Sequence, residues 1–139
     1  MELTILDKSN YLKALLILIG KDKKISDRER ELFLTLSVIL GFNQEFCENA
    51  INELFENEYI IEEPPLFSNV EIAKAFIKDG IRIAFSDKAL HIYEMNWLKS
   101  IGDKNNVSTE WRLKEFERIQ NLGTHSNNEF EIAKLLKPL

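Results

Sequence analysis

Slid against itself by 65 positions without a gap, this 139-residue chain meets its own pattern. Tyr11 pairs with Phe76, Leu12 with Ile77, Leu16 with Ile81 and Leu18 with Ile83. Farther along, Ile25 meets Leu90, Phe33 meets Leu98, Leu36 meets Ile101 and Phe42 meets Val107. Phe46 then meets Trp111, Ile51 meets Phe116 and Leu54 meets Ile119. The spacing is helical, so these pairs are expected on the inward faces of equivalent helices.

The punctuation repeats with the apolar residues. Gly41 aligns with Asn106, and glycine and asparagine are the residues that most readily take the left-handed conformation closing a helix; an apolar residue follows each, as a Schellman ending requires. Asn43 aligns with Ser108, and both are good N-caps for the helix that follows. The pattern predicts a three-helix unit over about 11–55 that recurs at about 76–120. Two such units pack most simply through their first and most apolar helices, ALLILIG and GIRIAFS, about an approximate two-fold axis.

Helical periodicity dominates throughout. Helices are expected at about 8–21, 26–40, 43–57, 68–86, 91–104, 108–121 and 127–137, the last lying outside the repeat. Capping boxes are expected where Ser26 precedes Glu29, Ser68 precedes Glu71 and Ser126 precedes Glu129. Pro64 and Pro65 stop the third helix and force an extended connection. The expected fold is all-α, a single domain over 1–139: a compact bundle of about seven helices.

A net charge of −5 gives no basic footprint for nucleic acid. The most apolar run, residues 14–20, is far shorter than the roughly 20 residues needed to span a bilayer. With Cys47 the single cysteine, a reducing cytoplasmic setting fits best. Cys47 reads as a structural thiol, His125 as a solvated loop residue, and Trp97 and Trp111 as core residues at repeat positions filled by Leu32 and Phe46. No Gly-rich phosphate loop, nucleophile elbow or zinc-protease motif is present.

The segments IGKDKKISDRE and LGFNQE in the first half, and AFSDKALHIYE and NNVSTE in the second, resemble the TerB-like family. That family takes its name from the tellurite-resistance protein TerB and includes the N-terminal module of DjlA. Its pattern is Ala-x-Ala-Asp-Gly-x-Ile-x-x-x-Glu entering the second helix of each half, and the likeness covers roughly residues 8–122. It implies a tandem all-helical fold, an association with tellurite and other stress responses, and divalent-cation binding at Asp22, Glu29, Asp87 and Glu94. The glycine that follows each aspartate in the family pattern is lysine here, Lys23 and Lys88.

Read from the residues, the acidic loops have two explanations. The carboxylates can accept backbone amides and complement the helix dipole at a helix start. Alternatively they can hold calcium or magnesium, which take six or more oxygens and so require both loops to converge. Residues 21–31 carry five basic and four acidic groups, while residues 87–94 carry two acidic and one basic; the second loop suits a cation better. His91 is either a weak cap in the place of Ser26 or a ligand for a softer metal. The function expected is a non-enzymatic binding or scaffold module with a protein partner. The alternatives are a metal-dependent enzyme built on the paired acidic loops and a purely structural accessory domain.

Overall fold

The computed structural model describes residues 3–20, 25–56, 62–87, 91–122 and 130–136. They form seven α-helices: α1 (Ile5–Gly20), α2 (Asp27–Ile39), α3 (Gln44–Glu56), α4 (Val70–Ala84), α5 (Ile92–Lys104), α6 (Thr109–Leu122) and α7 (Glu131–Leu136). A single 3-10 turn, Phe85–Asp87, extends α4. No described helix is long and apolar enough to cross a membrane.

Local chemistry sets the helix limits. Thr4 Oγ1 accepts the Asp7 amide at 3.0 Å while the Asp7 carboxylate accepts the Thr4 hydroxyl at 2.9 Å, so α1 starts earlier than its apolar periodicity suggests. The Ser26 and Glu29 capping box forms as expected. The one expected at Ser68 does not: Asn69 caps α4, its Oδ1 accepting the Ile72 amide at 3.1 Å, and Ser68 is drawn away to Asp7. Asn43 and Ser108 cap α3 and α6 through bonds from the Phe46 and Trp111 amides. Residues 126 and 129, where a third box was expected, lie outside the described residues.

Both left-handed endings are present. Gly41 has φ +93° and Asn106 has φ +59°. The Phe42 amide donates to the Ser37 carbonyl at 3.0 Å and the Gly41 amide to that of Val38 at 2.9 Å. Val107 donates to Gly102 at 2.9 Å and Asn106 to Asp103 at 3.5 Å, the same pair of bonds at the other ending.

Helix α4 occupies the middle, touching α1, α2, α5, α6 and α7. Ten of its fifteen residues are buried, while Glu71, Lys74, Lys78 and Arg82, spaced three and four apart, form one charged stripe along it. Within the first half α1, α2 and α3 touch one another, as do α4, α5 and α6 in the second, and α1 meets both α4 and α5. Gly80 permits the close approach, since a Cβ there would lie 2.8 Å from a Leu98 methyl and 3.1 Å from one of Leu18. Tyr11, Phe67 and Phe76 form an aromatic cluster between α1, α4 and the segment before α4, with Tyr11 edge-on to Phe76 at 5.1 Å between centroids.

Among the described residues, five of the eleven apolar pairs are buried on both sides: Tyr11 and Phe76, Leu12 and Ile77, Leu18 and Ile83, Phe33 and Leu98, Leu36 and Ile101. Phe46 is a correction. The repeat predicts a core residue there, equivalent to Trp111 in the second half, but Phe46 is 58% exposed, because Cys47 and Ile51, four apart, supply the inward stripe of α3.

Candidate functional site

The four expected acidic positions divide into two described side chains and two that are not. Glu29 sits three residues past the Ser26 cap and is buried; its Oε1 accepts the Ser26 amide at 3.0 Å, while Ser26 Oγ accepts the Glu29 amide at 3.0 Å. Glu94, also buried, accepts the His91 amide on Oε1 at 3.1 Å. Each glutamate thus turns inward onto the start of its own helix, where its charge complements the helix dipole. His91 occupies the N-cap of α5 with extended backbone and is exposed. Asp22 and Lys23 lie outside the described residues, as do the Asp87 side chain and Lys88.

Calcium or magnesium takes at least six oxygens. Among the described residues no three of His, Cys, Asp and Glu gather in a group able to hold a metal ion. The bonds that Glu29 and Glu94 accept are those of helix caps.

Three other buried polar side chains organise the molecule, and sequence reasoning missed all of them. Asp7 accepts the Ser68 amide at 2.9 Å and its hydroxyl at 2.6 Å, fastening the start of α1 to the segment before α4. Burial alone would raise the Asp7 pKa, but the bonds from Ser68 and Thr4 outweigh it and hold the carboxyl below its ordinary range. Asp79, in the middle of α4, accepts the Tyr11 hydroxyl at 2.6 Å and the amides of Glu131 and Ile132 at 2.7 and 3.1 Å. Burial pushes Asp79 up to about 6, against the lowering effect of those bonds, with the Glu131 charge adding to the rise. Asn105 donates to the carbonyls of Pro65 and Ile101, both at 2.9 Å, and accepts the Phe67 amide at 2.9 Å. The signal that existed was a polar residue inside an apolar stripe, at Tyr11 and Asp79; the distant partners of the two aspartates lie between 52 and 68 residues away.

Cys47 is fully buried and free, as a structural thiol should be. Trp97 is 4% exposed and its indole N–H donates to the Ala14 carbonyl at 2.9 Å. Trp111 is half-buried, with Lys74 and Lys78 over its ring at 5.3 and 5.7 Å.

Trp97 also borders a cleft of about 270 Å³ between α1, α5 and the proline segment. Helix α1 contributes Asn10, Lys13, Ala14 and Ile17, whose spacing of three and four marks one face. Trp97 and Lys104 line it from α5, two turns apart on one face. Glu63, Pro64, Pro65 and Leu66 form the remaining wall. That wall is pinned at Pro65 and Phe67 by Asn105 and at Ser68 by Asp7, so the cleft is preformed. No protein-family model, curated protein or solved structure matches this chain.

Proposed function

We propose that this chain is a non-enzymatic binding module of TerB-like type that engages a protein partner, in the setting of tellurite or general stress response and in the cytoplasm. The observation that carries the reading is the preformed cleft between α1, α5 and the proline segment. Its wall is fixed by Asn105 and Asp7, and its rim exposes Leu66 at 63%. A rigid concavity with an exposed apolar rim is what a partner-binding surface needs. The buried carboxylates Asp7, Glu29, Asp79 and Glu94 are committed to backbone amides, which is the work of scaffold residues. The likeness of the two acidic segments to the TerB-like pattern supplies the family and stress-response part.

A photo-crosslinking residue placed at Leu66, with remote exposed positions Val38 and Leu113 as controls, tests the reading in cells. A discrete crosslinked species at Leu66 alone supports it. Equal products at all three positions, or none at Leu66, count against it.

A second reading, that the acidic loops take calcium or magnesium, draws on the inward-turned Glu29 and Glu94, each following a segment that carries an aspartate. Titrating each cation into the ¹⁵N-labelled protein decides it. Saturable shifts confined to residues near 22–29 and 84–95 support the reading, and their absence removes it.

A further inference from the structure

We infer that the cleft between α1, α5 and the proline segment recognises an extended acidic stretch of a partner protein, with carboxylates taken by Lys13 and Lys104 and an apolar side chain set against Leu66 and the prolines. The inference rests on the binding-module reading and specifies the chemistry of the partner.

Charge is the first argument. The chain carries a net −5, yet the charged residues of the cleft are Lys13, Lys104 and Glu63, a local balance of +1. That local balance favours an acidic ligand over a basic one.

The state of those lysines is the second. Lys99, Lys114 and Lys134 each reach a carboxylate within 3.3 Å, and Lys74 and Lys78 lie over Trp111. Among the described residues, Lys13 and Lys104 have neither an ion pair nor a hydrogen bond, and both are exposed. Their ammonium groups face solvent with full donor capacity. Arriving carboxylates therefore displace water alone, with no internal ion pair to break.

Size and shape are the third. At about 270 Å³ the cleft falls just below the roughly 300 to 1,000 Å³ of pockets that enclose a drug-sized ligand. A short run of chain lying across it is the better fit. Lys104 is seven residues beyond Trp97 on α5, about 10 Å along the helix, which is the length of about three residues of extended chain. The pinned wall keeps this geometry in the free protein, so little ordering is required on binding.

The test uses the full ¹⁵N-labelled chain and two capped peptides, acetyl-Asp-Leu-Glu-amide and its neutral counterpart acetyl-Asn-Leu-Gln-amide. The acidic peptide is expected to shift the amides of Lys13, Leu66 and Lys104 and the Trp97 indole N–H, with a dissociation constant on the order of 1 mM. Raising salt from about 0.05 to about 0.5 M should weaken it at least fivefold, and the neutral peptide should bind at least fivefold less tightly. The K13E/K104E double variant, at exposed positions that leave the fold unchanged by circular dichroism, should lose at least tenfold. Equal binding of the neutral peptide, or of the acidic peptide to the double variant, overturns the acidic class while leaving the cleft as a binding surface. Absence of shifts at Leu66 and Trp97 with either peptide, together with no crosslink at Leu66, overturns the cleft itself.

Discussion

The Tyr11 hydroxyl donates to Asp79 Oδ2 across 2.6 Å and joins the first half of the chain to the second through two fully closed side chains. The same carboxylate receives the first two amides of α7, so one buried charge organises three helices. Burial holds its pKa at about 6 against an ordinary 3.8. The native state therefore binds this proton more tightly than the unfolded chain does. The resulting stability is fully present below about pH 4 and is lost as pH rises through about 6, a difference of roughly 3 kcal/mol at 1.36 kcal/mol per unit. Urea unfolding midpoints of Asp79→Asn against the parent protein, measured from about pH 4 to about pH 7.5, should show that component missing in the variant. A parent and variant with the same pH slope would exclude it.

Asp7 has the opposite sign. Its folded pKa is lowered, so the stability it contributes is present above its ordinary value of 3.8 and disappears as pH falls through the folded one. Ser68→Ala removes the hydroxyl donor at 2.6 Å and should cost about 1 to 2 kcal/mol near neutral pH, with a smaller penalty in acid. A chemical denaturation series at both pH values measures it; a penalty that grows on acidification would contradict the assignment.

The contrast between these aspartates and the helix ends shows how much was legible beforehand. Gly41, Asn106, Ser26 with Glu29, and the caps Asn43 and Ser108 were readable because their chemistry is satisfied within six residues. Ser68 looked like a cap on the same local rule, but Asp7, 61 residues away, bound it first. Phe46 was misplaced because its periodicity with Trp111 could not reveal which of two adjacent residues turns inward; the smaller Cys47 does. The cleft was invisible in the sequence, since it depends on where Asn105 anchors a segment some 40 residues earlier. The acidic positions were legible as helix starts at Glu29 and Glu94, and Asp22 lies outside the described residues.

The two left-handed endings respond oppositely to substitution. A Cβ at Gly41 meets nothing within 4 Å, so Gly41→Ala reports the backbone cost of φ +93° alone, about 1 to 2 kcal/mol of destabilisation. Asn106 already bears a side chain at φ +59°, and Asn106→Gly should relieve strain, raising stability by up to about 1 kcal/mol. Thermal unfolding of the two single variants checks the pair, and shifts of the same sign would refute the conformational account.

Asn105 ties the architecture to the cleft. Its amide group accepts from Phe67 and donates to Pro65 and Ile101, so truncation leaves a buried donor and two carbonyls without this partner. Asn105→Ala should therefore destabilise the fold by about 2 to 3 kcal/mol. Asn105→Asp retains the acceptor for Phe67 but loses both donations, and it brings a negative charge beside Lys104. It should keep slow hydrogen exchange at the Phe67 amide while weakening the acidic peptide, because the pinned wall loosens at Pro65 and the local charge falls. Exchange rates at Phe67 in the two variants separate the roles: protection lost in Asn105→Ala and kept in Asn105→Asp is the expected result. Protection kept in both would mean that the aromatic cluster, rather than Asn105, holds the wall in place.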